Sequence, residues 1–342
     1  MTPRPRRYDE SDVRIRPNRR GTRPRTKDRP AHEDAVPGFV TGVDRGRYTL
    51  LVHEGGERVV TAMKARELGR KSVVVGDEAG LVGDVSGGPD SLARIVRVAP
   101  RRTVLRRTAD DTDPVERIIV ANADQLVIVT ALADPEPRPR MIDRCLVAAY
   151  DAGMDPLLVL TKADLVDPAP FLDSYATLQV PHIVTSRDPA TGQWQGLEPL
   201  HERLVGQVSV FIGHSGVGKS TLVNALVPGA GRATGVVNDV TGRGRHTSSS
   251  AISLRLPGAE GWVVDTPGVR SFGLAHVQPA RIISHFPDLE PGTAECPRGC
   301  THDEADCGLD AWVEDGQAGP AGRSRLESLR RLLRARSPQP ED

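Results

Sequence analysis

Three short motifs stand in this chain in an order that limits what it can fold into. Thr161-Lys162-Ala163-Asp164 comes first, Gly213-His214-Ser215-Gly216-Val217-Gly218-Lys219-Ser220 second, and Asp265-Thr266-Pro267-Gly268 last. The first has the residue types of a guanine reader, the second those of a phosphate loop, and the third places a carboxylate beside that loop. In ordinary GTPases the base reader follows the other two. The order here therefore reads as a circularly permuted α/β P-loop GTPase domain.

Each motif has a chemical job. The apolar run Val208 to Ile212 predicts a buried strand entering the loop, and Ser220 to Leu226 the helix behind it. Gly213, Gly216 and Gly218 let backbone amides approach phosphate oxygens, with His214, Ser215, Val217 and Thr221 completing the cradle. Lys219 is expected at the β/γ-phosphates and Ser220 on Mg²⁺. Asp265 is the expected Mg²⁺-side carboxylate, and the Gly268 amide the γ-phosphate sensor. Asp164 can accept from the two donors of guanine that adenine lacks, while the Lys162 stem covers the base and Ala163 stays small. Thr161 occupies a position more usually Asn and has no amide to tie this loop to the phosphate loop. Thr185-Ser186 offers a backbone amide to the guanine oxygen, with a solvated loop as the equal alternative.

Between the phosphate loop and Asp265 lies Gly242-Arg243-Gly244-Arg245-His246-Thr247. Thr247 is the candidate γ-phosphate and Mg²⁺ contact. Val269 follows Gly268, where many GTPases carry a water-orienting Gln, so His246 becomes the candidate for positioning water, with simple phosphate contact or exposure as the alternative. Slow intrinsic turnover is the expectation.

Upstream, residues 38–43, 47–52, 57–62, 72–77 and 93–98 are short strand-like runs separated by Gly-containing turns, which predicts an OB-fold barrel. Arg101, Arg102, Arg106 and Arg107 follow it, as a basic surface or a solvated linker. Downstream, Cys296-x3-Cys300-x-His302-x4-Cys307 gathers three thiols and an imidazole, a donor set for structural Zn²⁺, with disulfides as the alternative. Arg323 to Arg336 predicts an amphipathic helix with Leu326, Leu329, Leu332 and Leu333 on one face; packing on the zinc module and phosphate contact both stay open. Cys145, on a predicted helix from Met141 to Tyr150, reads as core. The metal module and the nucleotide site read as independent.

From about Gly38 to Arg336 the chain resembles the circularly permuted small ribosomal subunit-dependent GTPases, bacterial ribosome-assembly factors. The resemblance rests on the motifs above together with Asn122-x-Asp124-Gln125 and Ile142-Asp143-Arg144-x-Leu146. It implies a multidomain architecture: an N-terminal OB-fold β-barrel, a central permuted GTPase domain and a C-terminal, mostly helical zinc-binding module. The expected boundaries are a disordered Arg-rich leader at 1–36, the barrel at 37–108, the GTPase domain at 109–275 and the zinc module at 276–342. The metal spacing is one residue shorter in two loops than the family's usual arrangement, and the leader has no counterpart in the shared core.

The resemblance further implies a GTPase that binds the small ribosomal subunit and its rRNA late in assembly, with Mg²⁺ accompanying GTP or GDP and one Zn²⁺ per chain. The alternative is an RNA-binding module with a sensor-like or vestigial nucleotide site; a P-loop ATPase or kinase is disfavoured by Asp164. Lys and Arg together number 45, as do Asp and Glu, yet eleven basic residues crowd the first 29 positions. That suits a tail that clings to RNA or merely solubilises. With no run of about 18 apolar residues and an arginine-rich start, a cytoplasmic monomer without membrane attachment is expected.

Overall fold

The computed structural model describes residues 32–69, 72–107, 116–230, 251–258, 260–266, 274 and 276–335. The leader through residue 31, the 242–247 segment with His246 and Thr247, and Gly268 and Val269 lie outside the described residues. Among the described residues, eleven strands join in one continuous sheet that begins in a barrel and ends in a nucleotide-binding fold.

The barrel comprises β1 (Val36–Asp44), β2 (Arg47–Val52), β3 (Arg58–Lys64), β4 (Glu78–Gly83) and β5 (Ala93–Val98). They pair in the order β1-β2-β3-β5-β4, and β4 returns to β1 from Val36↔Leu81 to Phe39↔Glu78, closing the barrel and removing its free edges. Alternate residues point inward: Val40, Leu50, Val52, Val60, Ala62, Leu81, Ala93 and Ile95 are all buried in a core of the barrel's own.

The fourth strand differs from the sequence expectation. Residues 72–77 do not form it; Glu78–Gly83 does. Val73, Val74 and Val75 are all buried rather than alternating, because the chain turns there. Gly76 takes φ +89°, and the Asp77 carboxylate accepts from the Val74 amide at 2.8 Å. A Cβ on Gly76 would stand 1.9 Å from the Ala121 carbonyl oxygen, so barrel backbone meets the next domain's backbone with no room for a side chain.

A two-stranded ribbon, β6 (Val104–Arg107) with β7 (Arg117–Ala121), leads onward. Next come β8 (Gln125–Ala131), α1 (Pro139–Ala152), β9 (Asp155–Thr161), α2 (Ala169–Asp173), β10 (His182–Val184), the small hairpin β11 (Ser186–Arg187) with β12 (Trp194–Gln195), and α3 (Leu197–Leu204). They are followed by β13 (Val208–Gly213), α4 (Lys219–Leu226), β14 (Ile252–Arg255) and β15 (Trp262–Asp265). The strand order is β10-β9-β8-β13-β15-β14, parallel except for β14. Parallel strands buried on both faces need continuous apolar runs, and every residue of β8 is buried. The sheet reaches the barrel where β14 meets β1 at Gly42↔Ile252, with the Phe39 and Trp262 rings 5.2 Å apart and Arg255 bonded to Glu57.

The arginines after the barrel serve this junction. Arg101 donates to the fully buried Asp77 carboxylate at 2.6 Å, Arg102 to Asp124 at 3.0 Å, and Arg106 to Glu116 at 3.1 Å. Three of the four predicted basic-surface residues are thus engaged by carboxylates of the same chain. Asn122, at φ +54°, accepts from the Arg102 amide and donates to the Gly76 carbonyl.

The C-terminal part holds α5 (Pro279–Ile283), α6 (Gly308–Glu314) and α7 (Gly322–Ala335). Leu326, Leu329, Leu332 and Leu333 form the apolar face of α7, as the heptad-like spacing predicts, and lie in one core with Leu126, Ile128, Leu146 and Leu158 of the nucleotide-binding sheet and α1. The module expected to be independent therefore shares the sheet's core. The α7 arginines are likewise engaged: Arg325 with Asp288, Arg330 with Asp310, Arg331 with Asp143 and Arg334 with Asp303.

Candidate functional site

Because β8, β9, β10, β13 and β15 are parallel, their C-terminal ends share one edge of the sheet, the usual ligand edge of open α/β folds. The phosphate-loop run leaves β13 there and enters α4. Gly213 packs so tightly that a Cβ would stand 2.5 Å from the Val129 carbonyl oxygen, while Gly216 and Gly218 both take φ +87°. These conformations, closed to ordinary side chains, turn the loop between strand and helix. Lys219, at the first turn of α4, is buried and bonded to the Asp265 carboxylate at the end of β15 and, at 2.8 Å, to the Thr266 carbonyl. The Thr266 hydroxyl donates to Phe211 at 2.9 Å, binding the two strand ends together. His214 lies at the loop's outer wall, its Nδ1 2.8 Å from the Ser215 carbonyl. Ser220 and Thr221 follow Lys219 on α4.

Thr161 corrects the sequence expectation. Its hydroxyl donates to the Val217 carbonyl at 2.6 Å, so the base-reading loop is tied to the phosphate loop without an amide. Lys162 has a left-handed backbone, φ +58°, and its amine bonds the Asp134 carbonyl. Asp164 stands exposed at the loop's tip, free of burial cost, as a group waiting to pair with a ligand must be. Ala163 donates its amide to Thr185 at 3.3 Å, and Thr185, fully buried, is held to Leu160 by its amide at 2.7 Å and its hydroxyl at 3.0 Å. Thr185-Ser186 is thus an anchored strand end rather than a loose loop, with Ser186 opening β11.

The structure also brings in residues that motif reading missed. The loop between β8 and α1 touches both ligand loops: Asp134 holds Lys162, and Pro135 lies where a Cβ on Gly216 would be 3.4 Å away. Nothing in the composition of residues 135–139, three prolines among five, names those neighbours. Cys145, at the floor of this cleft, is fully buried, and burial pushes its thiol up to about 12, which leaves it a core residue.

The second candidate centre is the Cys3His cluster. The donor atoms of Cys296, Cys300, His302 and Cys307 all lie within 4.8 Å of one another. Cys296 and Cys307 sulfurs are 3.9 Å apart, and the His302 Nδ1 is 3.5 and 3.8 Å from them. A tetrahedral site with metal–sulfur bonds of about 2.3 Å has edges of about 3.5–3.8 Å. The shortened spacing therefore still converges on a four-donor site, and all four cysteines of the chain are free thiols. Burial raises the Cys300 and Cys307 thiols and lowers His302, so the imidazole is neutral with a lone pair to offer, and a divalent cation would displace the protons of those two thiols. His302 takes φ +69°, and α7 braces the ligand loop through Arg330 Nε to the His302 carbonyl at 2.8 Å.

Among the described residues, no helix is long and apolar enough to cross a membrane. Residues 98–275 match the model of the RsgA GTPase family. A Pseudomonas aeruginosa small ribosomal subunit biogenesis GTPase RsgA is 41% identical over 256 residues, 72% of each chain. Its Pseudomonas syringae counterpart is 36% identical over 302 residues, 83% of this chain and 84% of the relative. Among solved structures, YjeQ from Thermotoga maritima aligns at TM-score 0.59 and 27% identity, covering 88% of this chain and 98% of that one. YloQ, a circularly permuted GTPase, aligns at TM-score 0.60 and 22% identity, covering 91% and 99%, and so speaks to the fold alone.

Proposed function

The chain belongs to the RsgA GTPase family, and from that premise we propose that it is a guanine-nucleotide switch that binds the small ribosomal subunit late in assembly and leaves it on hydrolysing GTP. The observation that carries this reading is the meeting of three motifs from a permuted order: Lys219 at Asp265 and Thr266, and Thr161 on the phosphate loop at Val217. The Lys219 ammonium, held by Asp265, is placed to exchange that partner for the β/γ-phosphates, and the amides of Gly213 to Thr221 cradle the phosphate oxygens. Asp164 reads guanine, Lys162 covers it, and the Ser186 amide meets its oxygen. The hydroxyl of Ser220 and the carboxylate of Asp265, hard oxygen donors, suit Mg²⁺, which neutralises phosphate charge when bound; Thr247 completes that set and Gly268 senses the γ-phosphate.

His246 orients the attacking water once the subunit has ordered its loop. The cysteine cluster holds one structural Zn²⁺, whose donor spacing supports it. The protein works as a cytoplasmic monomer.

Phosphate release measured with small subunits, large subunits and free RNA tests the reading. Stimulation by small subunits alone is expected; equal rates in all three would remove the subunit dependence, and no phosphate release in any would return the chain to an RNA-binding module with a vestigial nucleotide site. Asp164→Asn should move preference from guanosine toward xanthosine nucleotides, and unchanged GTP affinity would remove the base-reading role. His246→Ala should cost the stimulated rate on the order of 10²-fold with GTP binding preserved.

A further inference from the structure

Within the cysteine cluster's loop, Glu304 belongs neither to the nucleotide chemistry nor to the four donors, yet it is bonded to most of the turn that carries Cys300 and His302. Those two ligands are two positions apart. In an extended chain their backbones would stand about 6.6 Å apart, whereas their donor atoms, with those of Cys296 and Cys307, lie within 4.8 Å of one another. The turn that brings them together gives His302 a left-handed backbone, φ +69°, which a residue carrying a Cβ adopts only where its neighbours hold it there.

Glu304 provides that hold. Its Oε1 accepts from the Thr301 amide at 3.0 Å and the Thr301 hydroxyl at 2.8 Å. Its Oε2 accepts from the Thr301 amide at 3.0 Å, the Asp303 amide at 3.2 Å and Cys300 Sγ at 3.3 Å. The His302 amide, between the other two, donates to the Cys300 sulfur at 3.3 Å. Three successive amides thus converge on one carboxylate and one ligand sulfur, and the Glu304 carbonyl takes the Cys307 amide at 3.3 Å, joining the turn to the last ligand. When Cys300 ligates a metal, its thiol proton leaves for solvent. The Thr301 and Asp303 donors remain on the carboxylate, so the turn survives that loss. A loop already turned has less conformational freedom to surrender when the ion binds than one that must fold around it. We infer that Glu304 is a positioning residue for the metal: it holds the Cys300–His302 turn in ligating shape before the ion arrives. The inference rests on the Zn²⁺ reading of the cluster proposed above.

The test equilibrates the zinc-loaded full chain against a chromogenic chelator, and repeats the titration with Co²⁺, whose thiolate absorption reports the donor set. For Glu304→Ala, zinc affinity should fall at least about tenfold, the lower end of what residues supporting metal ligands contribute. Its Co²⁺ spectrum at saturation should match wild type, because all four donors remain, and GDP affinity at saturating zinc should stay within about twofold. Glu304→Gln, which keeps one acceptor oxygen, should recover part of the loss. Arg334→Gln breaks an exposed ion pair with Asp303 just outside the turn and should leave zinc affinity within about twofold. Wild-type zinc affinity in Glu304→Ala would overturn the inference. So would equal losses in Glu304→Ala, Glu304→Gln and Arg334→Gln, which would mark general loosening of the module, or an altered Co²⁺ spectrum, which would mark a changed donor set. Should Glu304→Ala fail to fold, Thr301→Val decides: it removes only the 2.8 Å hydroxyl bond, with a loss of about threefold expected and no loss overturning the inference. A wild type that takes up no zinc would remove the metal reading itself, and that result is read before any variant.

Discussion

The barrel and the C-terminal module flank the same nucleotide-binding sheet but are attached to it in different ways. The barrel closes around its own core, with Val40, Leu50, Leu81 and Ile95 facing one another, and meets the sheet through backbone, Asn122, ion pairs and the Phe39–Trp262 ring contact. The C-terminal module has its leucines in the sheet's own core, with Leu329 and Leu332 in one cluster with Leu146 and Leu158. A unit with its own core can be disturbed locally. A unit that borrows its core is expected to pass disturbances to the lender, which would couple the cysteine cluster to the nucleotide-binding sheet through α7 and α1.

The largest expected effect therefore follows metal removal. Structural zinc contributes about 10–16 kcal/mol to the folding of small metal modules, as much as the about 5–15 kcal/mol net stability of whole domains. Chelation, or Cys307→Ser, should lower the melting temperature of the module and nucleotide-binding domain together and weaken GDP binding. Hydrogen exchange should meanwhile show β1 to β5 still protected. Loss of protection in the barrel as well would break the distinction between the two attachments.

A smaller effect is expected at the α7–α1 contact. Burial holds the Asp143 carboxyl above the usual carboxylate range, with Arg331 opposing that shift. Arg331→Met would leave Asp143 with no counter-charge, costing about 2–3 kcal/mol, below the cost of a fully buried pair because Arg331 is itself 36% exposed. A raised folded-state pKa stabilises the fold below the unfolded value, and that stability is lost as pH rises through the folded one. The variant should thus be nearer wild type in melts at pH 5 than at pH 8. A deficit independent of pH would show that packing of Arg331 over the Tyr175 ring, 4.7 Å away, matters more than charge.

The smallest effect belongs to the barrel's outer tie. Glu57 and Arg255 are about half exposed, so Glu57→Gln should change stability by no more than about 1 kcal/mol, and less at high salt. A larger loss in denaturant titration would mean that the barrel depends on the sheet more than its separate core implies.

The loops proposed to take phosphate and base were legible in the sequence because that chemistry admits few residue types: glycines where φ is positive, a lysine at the helix start, a carboxylate at the strand end. The α7 face was legible because leucines recur at helical spacing. Other features depend on partners far along the chain. Nothing local to Thr161 reveals Val217, 56 positions on, and nothing local to Arg101 reveals Asp77. The Val73 to Val75 run has the composition of a strand, yet Gly76 and Asp77 turn it into a buried corner and pass the strand's role to the less β-prone Glu78 to Gly83.

The strand order has a consequence for synthesis. In the finished sheet β13 lies between β8 and β15, but it leaves the ribosome nearly 80 residues after β8. At translation rates of about 5–20 residues per second, β8 waits roughly 4–16 s for its inner neighbour. During that interval a strand that ends up buried along its whole length has its future inner edge open, an invitation to wrong pairing that an unpermuted chain, making its central strand first, does not issue. The nascent protein is thus most in need of protection while it already holds Asp164 but has no phosphate loop; the arrival of β13 covers that edge and brings the loop, and Asp265 at the end of β15 follows later still.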